Sequence, residues 1–224
     1  MSKGFFISFE GIDSTGKKTQ AKLLAEYLRK KGLNVEELSF PAYNTKFGQY
    51  VSAFLRGEYG KKEDMPEIAA LLFALDRYQF KKFIEDSIKD GKIIVCNRYT
   101  QSAMAFEGSL SQDKKKFIKW VGQVESRLPQ PDVIILLDLP IEYSTKLLEL
   151  REEKEYLKGA KKDIFEEDLV YQEKVRKTYL EMAKGKRWIV VKCFKKNGIK
   201  SVEEIHEEIV KKVENILKEK TIIK

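Results

Sequence analysis

The chain has 224 residues, of which 42% are hydrophobic and 35% are charged, and its formal net charge at pH 7 is +8. This composition excludes a disordered or fibrous protein, and the length suits one domain, residues 1–224, that can include a small movable lid. The basic balance favours anionic partners, either nucleic acid or small phosphorylated substrates, whereas two cysteines and one histidine argue against a disulfide framework or a metal centre built on them.

Five short apolar segments alternate with longer segments of helical period, a pattern typical of a parallel sheet covered by helices. The predicted strands are residues 5–9, 35–40, 93–96, 133–137 and 188–193. The predicted helices are residues 17–31, 66–90, 112–125, 141–150, 165–184 and 202–218. No apolar run approaches the ~18 residues that a membrane-spanning helix needs, and the N-terminus lacks the apolar region of a signal peptide, so we expect a cytoplasmic protein.

The first strand leads directly into Gly11-x-x-x-x-Gly16-Lys17, which an amphipathic helix follows. This is the context of a phosphate-binding loop, in which glycines free the backbone so that several N–H groups can converge on one phosphate. The helix N-terminus adds its positive dipole end, and the lysine neutralises charge between the β and γ phosphates. The sequence therefore predicts a three-layer P-loop NTPase fold of the α/β class, with a five-stranded parallel sheet between helices. The predicted ATP-binding residues are Gly11, Ser14, Thr15, Gly16, Lys17, Lys18 and Thr19.

One position of this loop departs from the usual motif. The residue after Lys17 is normally Ser or Thr, whose hydroxyl ligates Mg²⁺, and here it is Lys18. An ammonium has no lone pair to offer a cation, and Thr19 lies about 100° further round the helix. The sequence therefore predicts that the usual protein ligand to magnesium is missing.

Three later segments carry candidate binding residues. The segment FPAYNTKFG, residues 40–48, follows the second strand, and Asn97-Arg98-Tyr99 follows the third, where doubly wound folds bind their ligands. The helical segment LLFALDRYQ, residues 71–79, places Phe73 and Arg77 on one helix face. A ring can stack on a base and a guanidinium can grip phosphate, although a core phenylalanine beside a surface arginine is common in any helix.

The segment REEKEYLKGAKKD, residues 151–163, joins two predicted helices and is very polar. It is either a solvated helix extension or a lid, meaning a mobile cover over a ligand.

These segments resemble the thymidylate kinase family over nearly the whole chain. A pattern close to the family's FEGxDxxGKxTQ occupies residues 9–20, and LPQPDVIILLDLP, residues 128–140, resembles another family block. The resemblance implies a nucleoside monophosphate kinase that transfers a phosphoryl group in line from ATP to dTMP, with Mg²⁺ as the expected cofactor. It also implies that residues 151–163 are a lid, and it implies a homodimer formed through helices that include residues 66–90.

The resemblance further implies site residues. Lys17, Arg98 and Arg151, an arginine at the lid entrance, are the implied catalytic residues. Asp13 is implied to contact the sugar hydroxyl of the acceptor, and Arg98 to clamp its phosphate. The implied acceptor-binding residues are Asp13, Phe40, Pro41, Tyr43, Phe73, Arg77, Arg98, Ser102, Phe106 and Tyr171. For Tyr171 core packing is equally expected, and the identity of the acting lid residue is left open.

The family usually has an aspartate that helps to position magnesium where this chain has Asn97. Both usual metal-ligand positions, Lys18 and Asn97, are therefore altered, and no residue is assigned as a metal ligand. One hypothesis is that Lys18 supplies positive charge where the metal or a lid arginine normally does.

Other functions stay open on the sequence alone. The acceptor can be another nucleoside monophosphate or a deoxynucleoside, and Lys18 with Asn97 favours a catalytically impaired member that still binds nucleotide. A P-loop ATPase acting on nucleic acid ranks last, because Asp138 is not followed by a glutamate to activate water and no arginine-rich patch is present. The expected partners are therefore ATP and dTMP, without nucleic acid or membrane.

Overall fold

The computed structural model describes residues 4–149, 168–196 and 198–223. Within them, five strands form one parallel sheet in the order β2-β3-β1-β4-β5. The strands are β1 (Phe5–Glu10), β2 (Val35–Ser39), β3 (Ile93–Asn97), β4 (Val133–Asp138) and β5 (Trp188–Lys192). Strand β1 lies at the centre, paired with β3 on one side and with β4 on the other. The chain turns to opposite sides of β1, so the carboxyl end of β1 is the switch point where such sheets bind ligands.

Nine α-helices lie in the described part of the chain. They are α1 (Lys17–Lys30), α2 (Lys46–Leu55), α3 (Pro66–Tyr78), α4 (Lys81–Lys89), α5 (Thr100–Phe106), α6 (Lys114–Val124), α7 (Ile141–Glu149), α8 (Leu169–Met182) and α9 (Val202–Glu219). Two 3₁₀ turns, Lys62–Asp64 and Glu107–Ser109, and a small antiparallel hairpin of β6 (Phe194–Lys195) and β7 (Gly198–Ile199) complete the fold.

The helices form two layers because alternate strand residues are apolar on both faces of the sheet. Helices α1 and α9 cover one face, where Leu24 and Ile209 pack with Ile7 and Ile135. Helices α2, α3, α5 and α8 cover the other face beside Leu136. All six residues of β1 are buried, as a central parallel strand requires. The predicted three-layer α/β fold and its five strands are confirmed.

The segment 66–90 differs from the single long helix predicted for it. It divides into α3 and α4 at Gln79 and Phe80, without a glycine or proline to announce the break. At the break the Phe80 ring packs edge-to-face against Phe40, with centroids 5.4 Å apart. Burial of this aromatic pair favours the turn over a continuous helix.

Helices α2 and α5 arise where no helix was predicted. Helix α2 has a polar cap, since the Thr45 hydroxyl accepts a hydrogen bond from the Gly48 N–H. The predicted lid, residues 151–163, with its Arg151, lies outside the described residues. No helix in the described ranges combines the length and apolar character needed to cross a bilayer.

Candidate active site

The phosphate loop runs from the end of β1 to the start of α1, as predicted. Gly11 has φ +144°, and a Cβ there would lie 2.7 Å from the Leu137 carbonyl oxygen, so only glycine fits. Ser14 and Gly16 both have left-handed φ values, 57° and 81°. Alternation of such residues with ordinary ones turns successive N–H groups inward, which is the geometry of an anion-binding nest.

Lys17 is buried and lies against this loop. Its ammonium donates to the Ile12 carbonyl oxygen, and its Nζ lies 3.3 Å from the Thr15 hydroxyl oxygen. Thr15 is buried as well, and its hydroxyl donates to the same carbonyl at 3.1 Å. The lysine charge is thereby held at the loop instead of extending into solvent.

Arg98 follows β3 and forms an ion pair with Asp13 of the phosphate loop, with Nη2 2.5 Å from Oδ1. The Gln172 amide of α8 donates to the other oxygen of Asp13 at 2.8 Å and accepts from the Asp13 N–H at 3.3 Å. Burial opposes the charged form of Arg98, but Asp13 and the neighbouring Glu10 raise its pKa further above its ordinary value. Two predicted site residues, Arg98 and Asp13, are therefore brought together and fixed.

Beneath Arg98 lies the fully buried carboxylate of Glu10, the last residue of β1. It accepts hydrogen bonds from the Tyr99 N–H at 2.8 Å, the Ser102 hydroxyl at 2.7 Å and the Tyr179 hydroxyl at 2.8 Å. Burial raises the pKa of Glu10, and these donors and Arg98 oppose that rise. Ser102 also lies 3.4 Å from Arg98 Nη1, so this predicted residue bridges Glu10 and the guanidinium.

Phe106 and Tyr171, both predicted to contact the acceptor, are buried and pack on each other. The Arg98 guanidinium lies 4.9 Å from the Phe106 ring centroid. The Tyr171 hydroxyl donates to the Phe106 carbonyl oxygen at 2.7 Å, and Lys62 Nζ lies 4.8 Å from the Tyr171 ring centroid. Tyr171 thus ties α8 to the end of α5, which supports the packing role expected for it as an alternative.

A cleft opens between the phosphate loop, α7 and α8. Its lining residues are Asp13, Ser14, Ile141, Ser144, Thr145, Leu169 and Gln172. Asp13 therefore faces the cleft on one side and Arg98 on the other.

Arg77 is 1% exposed and forms an ion pair with Glu125, with Nε and Nη2 each 2.6 Å from Oε1. It is not the surface arginine considered as an alternative. Burial disfavours its charge, but Glu125 and Glu107 raise its pKa. Burial also raises the pKa of Glu107 to about 8, because Arg77 offsets only part of the penalty. Phe73, one turn earlier, packs edge-to-face on Phe54 with centroids 6.4 Å apart.

The segment after β2 is anchored to α3. The Asp76 carboxylate accepts from the Ala42 N–H at 2.9 Å. Phe40, which is 2% exposed, packs on Phe80 and Tyr99, so any contribution of Phe40 to a ligand is through the position of its loop. Pro41 and Tyr43 are half-buried and follow it in the same loop.

The two usual magnesium positions do not supply a fitting ligand pair. Lys18 and Thr19 are exposed at the start of α1. The Asn97 amide donates to the Ser39 hydroxyl at 2.9 Å, and its Oδ1 is buried with no hydrogen-bond partner in the described part of the chain. Of the two positions only the neutral Asn97 oxygen has lone pairs to offer. The described ranges also contain no cluster of three or more His, Cys, Asp or Glu residues that could hold a metal ion.

Sequence reasoning assigned no role to Glu10, Gln172 or Tyr179, which hold the site together. Glu10 is part of the FEG motif, but its position at the end of a strand does not predict which distant groups donate hydrogen bonds to its carboxylate. Gln172 and Tyr179 lie seven residues apart and therefore on one face of α8. Polar residues on the inward face of a buried helix were the available signal.

Comparisons with known proteins agree with this geometry. A family model described as thymidylate kinase matches residues 9–209. A probable thymidylate kinase from Pyrococcus horikoshii is 36% identical, over 96% of this chain and 98% of that protein. The thymidylate kinase of Plasmodium falciparum is 34% identical, over 96% of this chain and 91% of that protein. A solved thymidylate kinase structure from Candida albicans has a TM-score of 0.70 at 21% identity, covering 96% of this chain and 93% of that one, and shows the shared fold. The chain belongs to the thymidylate kinase family.

Proposed function

We propose that this chain transfers the γ-phosphoryl group of ATP to dTMP, giving ADP and dTDP. The observation that carries the proposal is the Arg98–Asp13 pair beside the phosphate loop, at the switch point of the sheet. A cation for the acceptor phosphate and a carboxylate for the sugar hydroxyl lie next to the loop that binds the donor phosphates.

In the reaction, an oxygen of the acceptor phosphate attacks the γ-phosphorus while the bond to the β–γ bridging oxygen breaks. Lys17 neutralises charge on the donor phosphates, and Arg98 spans the transferring group. Asp13 orients the acceptor sugar once the nucleotide displaces part of its contact with Arg98. Catalysis in this scheme is positioning and charge neutralisation, and no protein side chain forms a covalent bond to phosphate.

The remaining predicted site residues are proposed to shape the acceptor side. Phe73 of α3 contacts the base, and Arg77 does so once the nucleotide opens its buried pair with Glu125. The segment after β2 flanks the acceptor phosphate. Arg151 supplies the lid arginine. Since the Lys18 and Asn97 positions do not fit a protein-held cation, magnesium would reach the site with the phosphates of ATP, held mainly by them.

A homodimer is proposed on the basis of exposed apolar side chains on α2, α3 and α4. These side chains are Phe47, Tyr50, Ile68, Leu71, Leu75 and Phe83, each between 38% and 54% exposed. The three on α3 follow a spacing of three and four residues, which aligns them in one stripe. An exposed apolar stripe of this kind is unusual on a monomer, and a second copy of the chain would bury it. The cytoplasmic location stays a prediction from the sequence.

The dimer is tested by light scattering of the purified protein and of Leu71→Glu. We expect a dimer that the substitution converts to a monomer. Val202→Glu is the matched control, because Val202 is 44% exposed on α9, which covers the other face of the sheet. A monomeric wild-type protein would refute the proposed interface.

The transfer itself is tested by coupled ADP release with ATP and dTMP, with and without magnesium, against a panel of other monophosphates. Turnover restricted to dTMP supports the proposal, and turnover with another acceptor corrects the substrate. No turnover, with both nucleotides still bound in calorimetry, would indicate a nucleotide-binding member without activity. Recovery of turnover in the double variant Lys18→Ser with Asn97→Asp would then show that those two positions cause the loss of activity.

A further inference from the structure

The turn that carries Arg98 has an unusual backbone. Arg98 has φ 64°, in the left-handed region that residues other than glycine rarely adopt. Such a conformation persists only where the surrounding contacts determine it. Here the Arg98 N–H donates to the Phe9 carbonyl oxygen at 2.9 Å, and the next N–H, of Tyr99, donates to Glu10 Oε1 at 2.8 Å. Two consecutive N–H groups are thus fixed by the last two residues of β1.

The second oxygen of Glu10 is held by two hydroxyls. Ser102 and Tyr179 donate to Oε2 at 2.7 and 2.8 Å, and the two hydroxyl oxygens lie 3.2 Å apart. Tyr179 is 0% exposed and belongs to α8, which also carries Gln172 against Asp13. Helix α8 therefore contacts both members of the Arg98–Asp13 pair, Asp13 directly and Arg98 through Glu10.

We propose that Tyr179 and Glu10 are positioning residues for the acceptor: they hold the Arg98 turn so that the guanidinium faces the acceptor phosphate, and neither touches nucleotide. The proposal deepens the proposed dTMP kinase function and rests on it. Removal of the Tyr179 hydroxyl leaves Glu10 Oε2 with one donor, which loosens the carboxylate that holds the Tyr99 N–H.

The test is Tyr179→Phe, with Tyr99→Phe as the matched control. Both tyrosines are 0% exposed, and both substitutions delete one hydroxyl from the same neighbourhood. The Tyr99 hydroxyl has no hydrogen-bond partner in the described ranges, whereas that of Tyr179 binds Glu10. For Tyr179→Phe we expect dTMP affinity in calorimetry to weaken about five- to tenfold, with ATP affinity unchanged. Tyr99→Phe should match the wild type in both affinities.

A second variant separates positioning from general destabilisation. Glu10→Gln keeps an acceptor for the Tyr99 N–H but presents an amide N–H₂ to the two hydroxyls. Because Tyr179 acts through Glu10, adding Tyr179→Phe to Glu10→Gln should change dTMP affinity little further. Each variant is measured at a temperature where circular dichroism shows it to be folded.

The outcomes are distinct from those of the proposed function. Equal dTMP affinity in Tyr179→Phe and Tyr99→Phe, or fully additive effects in the double variant, would overturn the positioning role. Equal losses of dTMP and ATP affinity would do so as well, since they indicate a purely structural effect. Absence of dTMP turnover in the wild-type protein bears on the proposed function alone, because calorimetric binding does not need turnover.

Discussion

Arg98 and Arg77 are both withdrawn from solvent, yet their surroundings differ. Arg98 is paired with Asp13 and lies over the Phe106 ring. The Glu10 carboxylate beneath it accepts three hydrogen bonds. Around Arg77, one oxygen of its partner Glu125, one oxygen of Glu107 and the Tyr99 hydroxyl are buried and have no hydrogen-bond partner in the described part of the chain.

The Arg98 region is therefore preorganised, whereas the Arg77 region reduces the stability of the fold. Donors and charges that are already fixed need no reorganisation during a reaction, as catalysis of phosphoryl transfer requires. Buried polar atoms without hydrogen-bond partners reduce stability, so the Arg77 region has little stability to spare. We therefore expect substitutions near Arg98 to affect turnover first, and those near Arg77 to affect stability first.

The largest effect on stability is expected from Glu125→Leu. It leaves the Arg77 charge buried without its 2.6 Å partner, which should reduce the free energy of unfolding by about 3–5 kcal/mol. Urea denaturation gives this value directly. Replacement of both members, Arg77→Met with Glu125→Leu, should restore most of the loss; a double variant as unstable as the single one would contradict the argument.

The next largest effect is a loss of turnover in Arg98→Ala. We expect kcat/KM for dTMP to fall about 10²–10³-fold, because a fixed cation at the transferring group is lost. Arg29→Ala is the control, since Arg29 pairs with Glu37 and lies in the last turn of α1, at the opposite end of that helix from the phosphate loop. Steady-state kinetics measure both, and a loss below about tenfold for Arg98→Ala would assign its role elsewhere.

A smaller effect, dependent on pH, is expected at Glu107. Its pKa is about 8 in the folded chain and ordinary, near 4.5, in the unfolded chain. The folded state therefore binds the extra proton between these values, and stability is lost as pH rises from about 4.5 to 8. Glu107→Gln removes this loss, so its stability relative to the wild type should improve by more than about 1 kcal/mol between pH 5 and pH 8.5. Denaturation curves at both pH values test this, and a difference that does not change with pH would show that Glu107 is ionised when folded.

The smallest effect is expected at two helix caps. Asp168 and Asp113 cap α8 and α6 in the same way, each accepting an N–H from three residues later. Replacement of either by alanine should reduce the free energy of unfolding by about 1 kcal/mol. Because α8, unlike α6, carries residues that contact Asp13 and Glu10, only Asp168→Ala should also weaken dTMP binding. Thermal unfolding with and without dTMP distinguishes the two, and equal ligand effects would remove α8 from the acceptor site.

Much of this fold could be predicted, because periodicity and strand hydrophobicity are local properties. The five strands and the phosphate loop follow from such patterns. The break at Phe80 could not be predicted, since it depends on contact with Phe40, 40 residues earlier in the chain. For the site, the sequence implied that Arg98 and Asp13 both lie near the acceptor, but it did not imply that they pair with each other.

The environment of Arg77 shows the limit of sequence reasoning most clearly. Its helical face could be placed, but its burial depends on Glu125, which the sequence presents merely as the end of another helix. Spacing shows which residues share a helix face and does not show which distant charge will meet them. The same holds for Gln172, whose partner Asp13 is 159 residues away.

Helix α8 should restrict where related chains can differ in length. The helix makes three contacts at the carboxyl edge of the sheet, in which Gln172 binds Asp13, Arg176 binds Asp138 and Tyr179 binds Glu10. Insertion or deletion of one residue between them would rotate the later contacts by about 100° and break at least one. Chains of this architecture should therefore vary in length before this helix far more freely than within it, and gaps placed inside it when sequences are aligned should be suspected as errors.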